Sequence, residues 1–543
     1  MRDGNAGELR LTRYSKLFAA IQSLESKHKQ PDLIASPINF PFPTIYQSQM
    51  DVINSVPTNS SFCLTSHTGW GKTPVFMSMI RNTSALVIEP RKFLQNQVSK
   101  YYNDMVVFGR SGYHCPLAPA NFSGSKTAAM APCLAKVPCK MTKYQIVCKT
   151  FTEGCLKTPC NLVEIDGKLR RYPCDNCEYN DAFRHAVGIL KPPKAKEVPT
   201  SGGCIVANFG NFWPFVKSAN VIVVDEAGLF FKEISKPLRS KYVSPKKTPN
   251  ATIKEVLSTE VKELQSAVKD SPSRSKYSLQ NLLYSAQFLL ANADLCFMYQ
   301  RKDAYFIEID PRNVSVLSDK IFKNKRVIIV DATPGLFSYP SYSGSIHQRC
   351  GIFFAPVGNL TSRSLKENPY LMSSAAKAIA EISTYMELVY DADRVILHCG
   401  NIGTHATSLY KILGDEDCVL HVAGKLNETI DKYLASDKKY LLVASAEYGM
   451  DASWCKLQFI LKFPYPTLDE RTNTLKRSMG PDFAAYYAGE ARQRVIQTAG
   501  RNVRGFDDFG VTVCLDSKCF EDYMTNKGKY PSWFRERVDE SCY

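Results

Sequence analysis

Short apolar runs alternate with stretches of helical spacing along most of the chain. "SFCLTS", "SALVIEP" (Ser84 to Pro90), "ANVIVVDEAGLF" (Ala219 to Phe230) and "KRVIIVDATPG" (Lys325 to Gly335) read as buried strands ended by polar turns. Helical spacing follows Lys72 and returns in "RKFLQNQVSKYY". Such alternation predicts an α/β fold, a mostly parallel sheet covered by helices. A second unit of the same style begins near residue 350, with strands at "RVILHCG", "YLLVASAE", "KLQFILKF" and "FGVTVCLD". Residues 1–35 read as an amphipathic helix and a linker, 36–345 as the first unit and 346–543 as the second. Two stretches break the rhythm and read as insertions: 108–185, rich in cysteine, and 232–322, basic and mostly helical.

Composition adds a partner class. The net charge of +16 favours a polyanion. It is concentrated: residues 123–171 carry nine Lys/Arg against three acids, and 232–276 carry eleven against five. Basic insertions suit a phosphate backbone, although a solvated charged face would give the same counts. The sequence shows neither an uncharged apolar run of membrane-spanning length nor the apolar core of a signal peptide. The expectation is a soluble intracellular protein with no membrane partner, in cytoplasm or nucleus, or in the host cell if viral.

The stretch "LTSHTGWGKTPVF" (Leu64 to Phe76) approaches the phosphate-binding pattern of Gly, four residues, then Gly-Lys-Ser/Thr, with Ser66 at the first position. Phosphate cradling needs backbone N–H groups at a helix N-terminus, here from Thr68, Gly69 and Gly71. It also needs a lysine (Lys72) and a hydroxyl for magnesium (Thr73). Pro74 is tolerated because a first-turn N–H has no helical partner. A second magnesium contact comes from a carboxylate ending a neighbouring strand, and "VIVVDEAG" offers Asp225, with Glu226 to orient the attacking water. Alone, an Asp-Glu pair after an apolar strand is an ordinary loop. Beside Gly71-Lys72-Thr73 in one α/β unit it predicts a nucleoside triphosphatase using ATP and Mg²⁺. In "QRVIQTAGRNVRGFDDFG" (Gln493 to Gly510), helical spacing brings Gln497, Arg501 and Arg504 near one face, with the two arginines as arginine fingers from the second unit.

With these residues in view the sequence resembles the superfamily-two helicases of the XPD/DinG group. "FPTIYQSQMDVI" is similar to that group's adenine-reading Q motif, with Gln49 as its glutamine. "SHTGWGKT" resembles motif I, "IEPRKFLQNQ" motif Ia, "VVDEAG" motif II, "VDATPG" motif III, "ASAEYGMD" motif V and "QTAGRNVR" motif VI. Ser66, His67 and Trp70 depart from motif I. Gly228 stands where the family often has histidine, which removes a side chain that could couple hydrolysis to movement. The resemblance implies two RecA-like domains and an ATP-dependent helicase that translocates on single-stranded DNA, 5′→3′, and opens forked DNA. It implies a monomer working beside replication or repair proteins, with the second insertion as an arch. Alternatives from the residues are an ATP-driven translocase that does not unwind and a nucleic-acid-binding module with a weak ATP site.

Eight of the eighteen cysteines fall within Cys115–Cys177, a clustering that points to metal rather than disulfides in an intracellular chain. The resemblance implies a four-cysteine iron–sulfur cluster, of the 4Fe-4S type, on Cys115, Cys133, Cys139 and Cys177. The spacing Cys155-x4-Cys160-x13-Cys174-x2-Cys177 fits a zinc ribbon instead.

Overall fold

The computed structural model describes residues 14–27, 32–37, 39–67, 69–81, 83–89, 95, 98, 105–107, 139–142, 145–148, 162–165, 168–171, 204–208, 212–270, 273–333, 339–344, 349–422, 425–444, 452–503 and 507–540. In chain order its principal strands are β1 (Phe62–Thr65), β2 (Ala85–Glu89), β3 (Met105–Val107), β4 (Cys204–Asn208) and β5 (Val221–Asp225). An inserted hairpin, β6 (Cys296–Arg301) and β7 (Ala304–Ile309), precedes β8 (Arg326–Asp331) and β9 (Ser341–Tyr342). The second unit holds β10 (Arg349–Gly358), β11 (Val395–His398), β12 (Cys418–Leu420), β13 (Tyr440–Val443), β14 (Leu457–Ile460) and β15 (Phe509–Asp516). The principal helices are α1 (Ser15–Lys27), α2 (Gln47–Ser55), α3 (Lys72–Ile80), α4 (Ala227–Ile234), α5 (Ile253–Asp270), α6 (Ser273–Ala291), α7 (Tyr370–Tyr390), α8 (Glu470–Met479), α9 (Phe483–Ala499) and α10 (Ser532–Arg537).

Two parallel sheets organise the chain. In the first unit the order is β9-β1-β8-β5-β2-β4-β3. Successive side chains point to opposite faces of a strand. Val87, Val223 and Ile328 therefore enter one core with Val75 and Phe76 of α3, while Leu86, Ile222 and Ile329 enter the other with Phe230 and Phe231 of α4. With both faces covered, the strands are buried at nearly every position, which is why they read as unbroken apolar runs. In the second unit the order is β10-β15-β14-β11-β13-β12, again parallel. Helix α7 covers one face, and α1 joins it there: Leu17, Ile21 and Leu24 share a core with Phe353 and Ile379. Phe18 stacks on Tyr385 with ring centroids 4.0 Å apart. Helix α1 thus packs on the second unit although the strands next in sequence belong to the first.

The second insertion is only partly the helical element expected. Helices α5 and α6 pack on a three-stranded antiparallel sheet of Leu238–Arg239, β7 and β6. The hairpin turn at Lys302-Asp303 puts Lys302 in the left-handed region (φ 54°). Its alternation was hidden because β7 is buried at almost every position rather than every second one. Of the first insertion, the backbone shows hairpins Cys139–Thr142 with Gln145–Cys148, and Leu162–Ile165 with Lys168–Arg171. Cys115, Cys133 and Cys177 lie outside the described residues. No helix of the described residues is long and apolar enough to cross a membrane.

Candidate active site

Strand β1 runs into the loop that ends at Gly71, the N-cap of α3. Gly69 and Gly71 are left-handed, at φ 85° and 86°, which glycine adopts at little cost. A Cβ on Gly71 would also lie 2.5 Å from Gln49 Nε2. The Gln49 amide is engaged here: Nε2 donates to the Trp70 carbonyl at 2.6 Å, and Oε1 accepts from Tyr46 N at 3.1 Å. It clamps α2 to the loop. Lys72 Nζ donates to the carbonyls of Ser66 (2.9 Å) and His67 (3.1 Å). Thr73 occupies the next helical position, half-buried, and Thr68 lies outside the described residues.

The departures from motif I have packing causes. Ser66 Oγ accepts from Gly344 N at 3.1 Å. Trp70 is fully buried, donates through Nε1 to Ser48 Oγ at 3.1 Å, and leaves no room for a Cβ on Gly344, which would fall 2.2 Å from its ring. The His67 ring meets Trp533 of α10 edge-on at 6.2 Å.

Strand β5 delivers Asp225 beside this loop. Glu226 follows with φ 47°, an uncommon conformation for a non-glycine residue, and its N–H donates to Asp225 Oδ1 at 2.9 Å. Burial, and then the neighbouring Glu226 charge, push the Asp225 carboxyl up to about 7, against the pull of the Lys72 ammonium. A third carboxyl stands alongside. Glu89 ends β2, whose Ile88 pairs with Val224 of β5, and it is fully buried. Burial, followed by the Asp225 and Glu226 charges and a side-chain hydrogen bond with Asp225, pushes its carboxyl well above the carboxylate range. Sequence reasoning gave Glu89 no role, although an acid ending an apolar strand was the visible signal. A loop of left-handed glycines at a helix N-terminus, a lysine, a hydroxyl and buried carboxyls make a donor set that fits a magnesium nucleotide.

In the second unit α9 stops at Ala499, capped by Gly500, and the Arg501 N–H donates to Thr498 O in a turn. Arg501 therefore lies in a turn past the end of the helix that carries Gln497, where the spacing predicted that the helix continues. Glycine ends the helix, and a buried amide pins the turn beyond it. Gln458 Nε2 lies within hydrogen-bond reach of Thr498 O (3.0 Å), Asn502 Oδ1 (3.2 Å) and Thr512 Oγ1 (2.8 Å), and its Oε1 lies 3.2 Å from His398 Nε2. Gln497 is half-buried on α9, Arg501 is half-buried in the turn, and Arg504 lies outside the described residues. The units meet beside the nucleotide loop, where Gln493 Nε2 of α9 donates to Thr333 Oγ1 at 3.1 Å and Trp533 Nε1 donates to Ala332 O at 3.2 Å. Among the described residues, no group of three His, Cys, Asp or Glu side chains is placed to hold a metal ion by itself.

Residues 408–537 match the model of the helicase C-terminal domain family. Among solved structures, an apo XPD structure is 12% identical, with a TM-score of 0.50 over 89% of this chain and 98% of its own. An XPD helicase is 13% identical, with a TM-score of 0.49 over 89% of this chain and 97% of its own. Xpd4 of S. tokodaii is 12% identical, with a TM-score of 0.48 over 91% and 98%. Comparison with curated protein sequences gives no match. The likeness to the apo XPD structure is one of fold, and the helicase C-terminal domain match covers residues 408–537.

Proposed function

We propose that the chain is an ATP-dependent DNA helicase that translocates 5′→3′ on single-stranded DNA and opens forked duplexes. One observation carries the reading. A glycine loop with Lys72 and Thr73, the strand-end acids Asp225 and Glu226, and the motif VI helix of a second parallel-sheet unit converge on one junction. Bound ATP supplies the phosphoryl group, and magnesium spreads its charge. The loop N–H groups and Lys72 hold the phosphates, Thr73 and Asp225 hold the magnesium, and Glu226 orients the attacking water. Arg501 and Arg504 complete the site from the second unit. Gln49 acts on the loop through Trp70 as well as beside the adenine. The cysteine-rich insertion binds an iron–sulfur cluster through Cys115, Cys133, Cys139 and Cys177 and serves as a wedge.

ATP turnover by the purified chain, with and without single-stranded DNA, tests the motor, and opening of 5′- and 3′-tailed duplexes tests the work done. Lys72→Ala is expected to abolish turnover while the variant still melts cooperatively; retained turnover removes the phosphate-loop assignment. Anaerobic purification with assays for iron, sulfide and zinc tests the insertion. About four irons per chain are expected for a 4Fe-4S cluster. Zinc without iron withdraws the cluster and its ligand set but leaves the motor.

A further inference from the structure

Motif I departs from its pattern at three positions, and each is anchored. Ser66 Oγ accepts from Gly344 N at 3.1 Å, and Trp70 Nε1 donates to Ser48 Oγ at 3.1 Å, so both are held within the first unit. His67 is held from the second. It is fully buried, and its ring meets the Trp533 ring of α10 with centroids 6.2 Å apart and planes at 64°. Trp533 is itself fixed. Its Nε1 donates to Ala332 O at 3.2 Å, and the Arg537 guanidinium lies 5.1 Å over its ring. The chain just beyond α10 is tied to β10, the edge of the second sheet. There Val538 pairs with Ile352 in a parallel bridge, and Asp539 N donates to Ile352 O at 3.3 Å.

We propose that Trp533 and His67 are positioning residues for the nucleotide loop, with α10 a strap that holds the loop at His67 and thereby sets nucleotide affinity. The proposal deepens the nucleotide-loop reading and rests on it. Lys72 supplies the first argument. Its ammonium donates to the carbonyls of Ser66 (2.9 Å) and His67 (3.1 Å), so the lysine that meets the phosphates is oriented by the residue on which Trp533 packs. The loop supplies the second. Gly69 and Gly71 sit in the left-handed region, where glycine brings no stiffness of its own, so an outside anchor fixes what the loop sequence leaves free. Trp533 supplies the third. It is buried in a core with Phe354, Phe463 and Tyr523 of the second unit, so its ring keeps its place while His67 leans on it. An edge-on aromatic pair of this kind contributes beyond the area it buries.

The test measures binding of a ribose-labelled fluorescent, non-hydrolysable ATP analogue with magnesium to the full chain. ATP turnover and affinity for a fluorescein-labelled oligothymidine are measured beside it. Trp533→Leu and His67→Leu are each expected to weaken analogue binding about two- to tenfold, the contribution of one aromatic pair. The double variant should lose no more than the larger single loss, because both remove the same contact. Trp533→Phe, which keeps a ring, should restore most of the affinity. The KM for ATP should rise while kcat stays within about twofold, because a loosely held loop loses ground-state and transition-state binding alike. Oligothymidine affinity should not move. Wild-type analogue affinity in His67→Leu, losses that simply add, or a parallel fall in oligothymidine affinity overturns the strap and leaves the nucleotide site in place. If Trp533→Leu does not melt cooperatively, His67→Leu decides, since it leaves α10 whole. If the wild-type chain binds no nucleotide, the nucleotide-loop reading falls, and amide hydrogen exchange over residues 62–72 decides the strap. Faster exchange there in Trp533→Leu keeps it, and equal exchange overturns it.

Discussion

Gly71 carries two constraints at once: a left-handed φ of 86° and the Gln49 amide 2.5 Å from where a Cβ would stand. Gly71→Ala is expected to lose about 1–2 kcal/mol to the backbone alone, and more from displacing Gln49 from the Trp70 carbonyl. Urea denaturation and ATP titration check this; the double variant Gln49→Ala/Gly71→Ala should recover the clash but not the dihedral cost. Wild-type ATP affinity in Gly71→Ala would remove the loop from the nucleotide site. The same residue shows what the sequence disclosed. Gly71, Lys72, Thr73 and Asp225 were legible because their chemistry is written in contiguous spacing. Glu89 was not, since only the pairing of β2 with β5 sets it beside Asp225. Asp331 and Gln493 were not either, since their bonds join residues 103 and 160 apart. Gly228 read only as a missing side chain, because the Asp331 carboxylate that meets its N–H comes from a distant segment.

The strands were the most legible elements, because burial on both faces makes each a short apolar run. The end of α9 was the least, because helical spacing continues past Gly500 while the helix does not. The turn is held by the buried cluster of Gln458, Asn502, Thr512 and His398, assembled from three neighbouring strands and the turn itself. This cluster makes stability depend on acid. Burial, with a smaller push from Arg501, lowers the His398 imidazole to about 4, against the bond to Gln458 that favours its charged form. As pH falls below its ordinary value of 6.5, the unfolded chain takes up a proton that the folded chain refuses. The stability His398 contributes is full above that value and is lost towards pH 4, at about 1.4 kcal/mol per pH unit within the window. Urea denaturation at pH 7, 6 and 5 should show this slope. His398→Gln, which cannot titrate, should flatten it by one proton; an identical slope in the variant would assign the acid sensitivity to other groups.

At the scale of the whole molecule, the two units are joined by more than the nucleotide junction. Helix α1 packs on the second unit, and the β6–β7 hairpin of the second insertion reaches across to α8 and α9. Phe297 and Tyr299 of β6 share a small core with Leu475, Met479 and Phe483, and Tyr299 stacks on Phe306 with centroids 5.4 Å apart. Beside them the Arg471 Nε of α8 donates to Glu308 Oε1 of β7 at 2.6 Å, and its guanidinium lies over the Phe297 ring. Glu308 is 5% exposed and Arg471 31%, so the carboxylate depends on this partner more than the guanidinium does. Burial raises the Glu308 carboxyl while the bond and charge of Arg471 lower it. Removing Arg471 leaves an uncompensated buried acid, a change that costs about 3–5 kcal/mol when a buried pair is broken, and toward the low end here because Arg471 is partly solvated. Arg471→Met should therefore destabilise strongly and make the penalty grow as pH rises above the carboxylate range, where Glu308 must either ionise without a partner or keep its proton. Arg471→Met with Glu308→Gln removes both charges and should recover most of the loss, since a buried pair replaced on both sides is often neutral. A cooperative melt that moves little in the single variant would mean the hairpin rests on its aromatic packing alone. If the double variant is no better than the single, the loss comes from Arg471 packing on Phe297 rather than from the stranded charge.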